Sequence, residues 1–266
     1  MTNEKRLFAT GRNILIGVVH LRPLPGSPRW RGNMDAVIAA AIADAKAYEK
    51  GGADAVFVEN FGDAPFTSSS VPPETIAAMA VAGGAVRESV AVPIGFNVLR
   101  NDAEAALGLC VACGGGFIRV NVHCGAMLTD QGIIEGDAFR TLRRRRELGS
   151  AALIFADVQV KHAVPLAPMP IEISARDTLE RGLADGLIVS GTGTGVATSL
   201  EDLERVRTAC PRARLWIGSG ITADNVQGYL ELADGVIVGS SLKRGGRIDN
   251  PVDVKRVAAL RRRMRT

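Results

Sequence analysis

Eight short apolar runs, rich in branched and aromatic residues, recur along the chain at intervals long enough to hold a helix. That rhythm limits the fold more than any other feature. The runs are ILIGVV (14–19), AVFVE (55–59), PIGFNV (93–98), FIRVNV (117–122), ALIFADV (152–158), GLIVS (186–190), RLWIG (214–218) and GVIVG (235–239). Continuous apolar runs predict parallel strands covered by helices, in a sheet that is either closed or open. Helix starts are marked between them: Asn33, Asn101, Ser199, Thr222 and Asn250 with Pro251 each precede a stretch of helical spacing.

An internal repeat favours closure. GGADAVFVEN, GLADGLIVSG and ELADGVIVGS each lead an Ala-Asp pair into a strand, at the second, sixth and eighth runs. Recurrence on even strands suits a barrel whose alternate strands fill the same layers. An open doubly wound sheet calls for a glycine-rich turn after the first strand, which GVVHLRPLPG does not supply. The expectation is a single (β/α)8 TIM barrel of the phosphate-binding type, one domain over residues 1–266. The 266-residue length fits one such barrel.

Charge excludes some partners. The net charge of +4 comes from 32 basic and 28 acidic residues, dispersed rather than gathered, so nucleic acid is not expected. The arginine runs at 143–146 and 261–265 read as solvated helical faces rather than lipid or phosphate-backbone patches. No continuous apolar leader opens the chain and no run is long enough to span a bilayer. A cytoplasmic protein is therefore expected, with membrane contact limited to its periphery and homo-oligomer formation left open. Cys110 and Cys113 have metal-ligand spacing with His123 and Cys124 nearby, but AEAALGLCVACG reads as an apolar helix in which cysteine is ordinary packing. Neither metal nor cofactor is expected.

In a barrel of this kind, function sits at the C-terminal ends of the strands. Polar residues gather there: His20, Glu59, Asn60, Asn97, Arg100, Arg119, Asn121, His123, Asp157, Gln159, Lys161, His162, Thr192 and Thr194. Period-two alternation puts Arg119, Asn121 and His123 on one face, and Asp157, Gln159 and Lys161 on another while the chain stays extended. An arginine within FIRVNV requires a carboxylate, with Asp157 and Glu59 the candidates, and a structural ion pair tying the barrel is the competing explanation. Asp157 and Glu59 are the expected acid/base groups, with His20 behind them. Arg119, Asn97 and Asn121 would orient or polarise a substrate. Lys161 is a candidate Schiff-base nucleophile or anion-binding point charge, with an ordinary surface lysine the competing explanation.

The segments GSGI and GSSLKRGG follow the seventh and eighth runs, the place where phosphate-binding barrels hold their anion. Gly218, Ser219, Gly220, Gly239, Ser240 and Ser241 are the expected phosphate contacts, with charge from Lys243 or Arg244. Glycine for packing alone is the competing explanation. Two proline-rich loops, HLRPLPGSPRWRGN and ENFGDAPFTSSSVPPE, are expected to wall the mouth.

The stretches GVVHLRPLPGSPRW, GGADAVFVENFGDAPF, PIGFNVLRNDAEAA, FIRVNV, TDQGIIEGDAFRTLRRRRELG, ADVQVKHAVPL, IGSGIT and DGVIVGSSLKRGG resemble the BtpA family, also called BtpA/SgcQ. The resemblance implies a TIM-type barrel. Its founding cyanobacterial member is linked to photosystem I accumulation at thylakoid membranes, while other members look like metabolic enzymes and occur beside sugar-transport genes, which points toward sugar phosphate metabolism. His123, Cys124 and SGTGTG depart from the family pattern, which bears on substrate choice. Two functions are therefore expected to compete. One is an enzyme moving a proton or cleaving a carbon bond in a small phosphorylated metabolite. The other is a non-catalytic, peripheral-membrane factor in photosystem I biogenesis.

Overall fold

In the computed structural model, which describes residues 7, 8, 11–191 and 193–265, the eight runs form the eight staves of a closed parallel barrel. Thr192 and most of the N-terminal segment considered above lie outside the described residues. In chain order the strands are β1 (Ile14–His20), β2 (Ala55–Glu59), β3 (Ile94–Asn97), β4 (Phe117–Val120), β5 (Ala126–Thr129), β6 (Gly132–Glu135), β7 (Leu153–Val158), β8 (Ala163–Pro165), β9 (Gly186–Val189), β10 (Leu215–Ile217) and β11 (Gly235–Val238). The barrel order is β1-β11-β10-β9-β7-β4-β3-β2, closing on itself.

Alternation along these strands divides the core. Every second residue faces inward, and Ile14, Ile16, Val18, Ala55, Phe57, Phe117, Phe155, Ile188, Trp216 and Ile237 fill the barrel. Phe8 joins this layer, with its ring centroid 4.9 Å from Phe117, 5.2 Å from Phe155 and 5.7 Å from Trp216, edge to face. The intervening residues, such as Leu15, Val19, Val56 and Val236, pack outward against the helices.

The helices are α1 (Met34–Gly51), α2 (Pro73–Ser89), α3 (Ala103–Cys113), α4 (Ala138–Glu147), α5 (Ile171–Arg176), α6 (Leu200–Ala209), α7 (Val226–Leu230) and α8 (Val254–Arg265). Asn33 and Ser199 cap as expected, accepting from the N–H groups of Ala36 and Asp202. Three expected caps are displaced. Asp102 rather than Asn101 caps α3, and Asn101 instead bonds Val122 in both directions. Thr222 accepts from the Asp224 N–H in a turn before α7, and Asn250 donates to Arg244 O before α8. Among the described residues, no helix is long and apolar enough to cross a membrane.

One feature departs from the simple strand-helix alternation. β5, β6 and β8 form an antiparallel sheet in the order β6-β5-β8, attached to the segments that leave β4 and β7. Its inner face encloses Val122, Met127, Ile134 and Val160.

Candidate active site at the barrel mouth

The inward register that builds the aromatic layer carries on, one step further along each strand, into polar residues. Beyond Val18 comes His20, beyond Phe57 comes Glu59, beyond Phe117 comes Arg119 and beyond Phe155 comes Asp157. Ile188 is followed by Ser190, Trp216 by Gly218 and Ile237 by Gly239. Strand alternation alone therefore gathers these groups into one layer at the C-terminal rim.

Arg119 pairs with Asp157, and Glu59 is left for other work. Arg119 Nε donates to Asp157 Oδ2 and Nη2 to Oδ1, both at 2.8 Å. Asn121 Nδ2 adds a third donor at 3.2 Å and Ser190 Oγ a fourth at 2.9 Å. The Asp157 carboxylate is thus saturated by four donors, which leaves it ill placed to take a proton from a ligand. Burial works against the Arg119 charge, yet Asp157 beside it holds the guanidinium above its ordinary value.

Glu59 is buried and lines the main cavity. Asn97 Nδ2 donates to its Oε2 at 2.6 Å, while its Oε1 stands 3.8 Å from His20 Nε2, beyond a direct hydrogen bond. Burial, helped by the nearby charges of Lys243, Lys161 and Arg119, holds His20 well below the ordinary imidazole value, so the ring is neutral at pH 7.

The cavity has a volume of about 360 Å3 and runs from Glu59, Arg119 and Lys161 to the loops after β10 and β11. Gly218, Ser219, Gly220, Gly239, Ser240 and Ser241 all line it. The first glycines of the two loops have a packing reason. A Cβ on Gly218 would lie 2.4 Å from Ser190 Oγ and 3.3 Å from Arg119 Nη2, and one on Gly239 would lie 2.5 Å from His20 Cε1. Their lack of a side chain makes room for the functional groups of neighbouring strands.

The hydroxyls divide too. Ser219 Oγ accepts from the Gly191 N–H at 2.8 Å and donates to Val196 O at 3.0 Å, tying both residues to the loop after β10. Ser241 Oγ donates to Ile221 O at 2.6 Å, joining the two loops. The expectation that all three serines would offer hydroxyl protons to an anion is therefore corrected, because those of Ser219 and Ser241 are already engaged. Lys243 is corrected as well: its ammonium is buried 3.1 Å from Asp44 Oδ2 and ties α1 to the end of the barrel. The cation that does line the loop end of the cavity is Arg256 of α8, which sequence reading missed. It arrives from a helix about fifteen residues beyond the glycine-rich loop, where no local motif announces it.

Extended geometry ends at Val158. Gln159 is left-handed, with φ of 52°, and its amide turns away to Met169 O and Ser174 Oγ, so it does not share the cavity with Lys161 as expected. Lys161 does line the cavity. Burial, then the neighbouring Arg119 charge, brings its ammonium down to about 8. Arg100 lies behind it and donates to the Lys161 carbonyl at 2.6 Å. His162 accepts from the Thr194 N–H at 3.1 Å and so links this segment to the loop after β9 at that residue.

His123 leaves the face it was expected to share with Arg119. Its Nε2 donates to Gly182 O at 2.8 Å, burial holds its pKa low, and it stays outside the main cavity. The thiols of Cys110, Cys113 and Cys124 face different backbone carbonyls, those of Phe117, Ala80 and Asp177. No group of three His, Cys, Asp or Glu side chains among the described residues could hold a metal ion.

The family model described as "BtpA family" matches residues 11–266. The photosystem I biogenesis protein BtpA of Synechocystis sp. is 50% identical over 93% of this chain and 86% of its own. An uncharacterised protein of Pyrococcus furiosus is 49% identical over 92% of each chain. Among solved structures, phosphoribosyl anthranilate isomerase from Thermus thermophilus superposes with a TM-score of 0.58 at 16% identity, over 95% of this chain and 98% of that one, a likeness of fold.

Proposed function

This chain belongs to the BtpA family, and from that premise we propose that it is an enzyme acting on a small phosphorylated metabolite by proton transfer or carbon-bond cleavage. The observation that carries this reading is the single cavity joining two unlike ends. One end has the carboxylate of Glu59 and the amine of Lys161, and the other has the glycine and serine backbone after β10 and β11 with Arg256. A phosphate suits the second end. The N–H groups opening the turn Ser240–Leu242 have no partners within that turn, Ser240 adds a hydroxyl, and Arg256 adds charge.

At the other end Glu59 is the acid/base group, oriented by Asn97. Arg119 presents a fixed positive charge to a developing oxyanion, and Asp157, Asn121 and Ser190 position Arg119. Neutral His20, 3.8 Å from Glu59 Oε1, is placed to hydrogen-bond a ligand beside that carboxylate. Sugar phosphates and nucleotides of modest size fit the volume.

A thermal-shift screen against phosphorylated sugars and nucleotides tests the reading. Stabilisation that disappears in Ser240→Asp, which places a like charge against the phosphate, supports it. The absence of a shift with every phosphate counts against it. The second reading is a non-catalytic biogenesis factor, favoured by the 50% identity to the Synechocystis protein of that name. It gains if no ligand shifts the melting point while immobilised protein retains photosystem I subunits.

A further inference from the structure

We propose that Lys161 forms a Schiff base with the carbonyl carbon of a phosphorylated aldehyde or ketone held in the barrel mouth, an inference that deepens the phosphorylated-metabolite reading and rests on it. The first observation is how the backbone aims this residue. Gln159 and His162, with φ of 52° and 57°, occupy the left-handed region that side chains with a Cβ avoid, and they bracket the dipeptide Val160-Lys161. Val160 is buried under the accessory sheet while Lys161 turns to the cavity. Arg100 Nη2, at 2.6 Å from the Lys161 carbonyl, fixes the reversal from behind.

The second observation is what surrounds the amine. Among the described residues it has no hydrogen-bond or ion-pair partner, although Glu59 and Arg119 line the same cavity. A lysine serving as structure finds a carboxylate, as Lys243 does with Asp44. Burial first, then the charges of Arg119 and Arg100, outweigh the opposing pull of the Glu59 and Asp157 carboxylates and bring Lys161 to about 8, so a useful fraction is the neutral nucleophile near neutrality. It is also set apart from the phosphate loops, since β9 separates its strand from β10 in the barrel. A ligand whose phosphate lies at the glycine-rich end can therefore present its far end to this amine.

The chemistry balances without a further reactant. The amine lone pair forms the C–N bond as the carbonyl π pair moves to oxygen, and one proton passes from nitrogen to that oxygen. Glu59, whose carboxylate takes the third proton of the lysine ammonium when the amine is freed, returns that proton and makes the hydroxyl a leaving water. The C–O bond breaks, and nitrogen keeps its remaining hydrogen in the iminium. In sum, a carbonyl and a lysine ammonium give an iminium and water, with no redox change. The iminium then draws electrons from the adjacent C–H or C–C bond, which gives the proposed reaction classes a common intermediate.

Reductive trapping tests this. The full chain is incubated with glyceraldehyde 3-phosphate or dihydroxyacetone phosphate and sodium borohydride, and the adduct is located by peptide mass mapping. The expected result is a reduced adduct at Lys161, formed at least about tenfold faster than at any other lysine. It should be suppressed by inorganic phosphate and slower with the unphosphorylated carbonyls. Lys161→Arg, which keeps the charge but cannot form the imine, should bind phosphate as the unmodified chain does and lose the adduct. Phosphate binding without preferential labelling of Lys161 overturns the Schiff base and leaves the phosphorylated-ligand reading standing. Equal labelling of Lys161 by phosphorylated and unphosphorylated carbonyls keeps the Schiff base and removes the phosphate reading.

Discussion

Arg119 and Asp157 form a bidentate ion pair, with both hydrogen bonds at 2.8 Å and side chains only 4% and 0% exposed. With Asn121 and Ser190 on the same carboxylate, Asp157 holds the Arg119 guanidinium in place, and Arg119 is the member of the pair that reaches the cavity. Removing one partner strands a buried charge. Asp157→Asn is expected to lower stability by about 3–5 kcal/mol. The double change Arg119→Met with Asp157→Leu should recover most of that loss. Chemical denaturation of the three proteins checks both, and a single Asp157→Asn as stable as the parent would refute the assignment.

Glu59 should behave in the opposite way. Its replacement by Gln keeps the hydrogen-bonding shape beside Asn97, so the fold should be little affected. Turnover on any substrate from the screen should fall by about 10²–10⁴ while ligand affinity is retained. Steady-state kinetics with a binding titration separates these, and unchanged kcat would remove Glu59 from the chemistry.

Two cations near the eighth strand should separate by phenotype. Lys243→Met leaves Asp44 without its buried ammonium and should cost stability but not phosphate affinity. Arg256→Ala removes an exposed charge at the cavity and should weaken phosphate binding about three- to tenfold with little change in melting temperature. The reverse pattern would restore Lys243 as the phosphate contact.

Lys161 sets a pH signature. Its pKa is about 8 in the folded chain and 10.5 ordinarily, so between those values the unfolded chain holds a proton that the folded chain has released. Stability contributed by this group therefore rises as pH increases from about 8 toward 10.5. Denaturation midpoints across that window should show an upward slope that flattens in Lys161→Met. A slope unaffected by the substitution would mean that the amine is not perturbed.

The barrel was legible because its signal is long-range and redundant: eight apolar runs and a repeated Ala-Asp lead-in each point to the same closed sheet. His20, Glu59, Arg119 and Asp157 were legible because period-two alternation carries inward register to the rim. That logic ends where the strand ends, which is why Gln159 and His123 were misplaced: left-handed Gln159 reverses its side chain, and His123 lies three residues beyond β4. The accessory sheet was missed although AMLTDQGIIE holds two four-residue strands around a turn, because these read as part of a long connection. Ser219 and Lys243 kept their expected positions but serve the protein itself. Their partners, Val196 and Asp44, are 23 and 199 residues away, so no local pattern could show it.

Calorimetric titration of inorganic phosphate into the unmodified chain, Ser240→Asp and Glu59→Gln separates the anion end of the cavity from the reacting end. Phosphate should bind saturably to the unmodified chain and to Glu59→Gln, with loss in Ser240→Asp. Equal phosphate affinity in Ser240→Asp and the unmodified chain would contradict the phosphate reading.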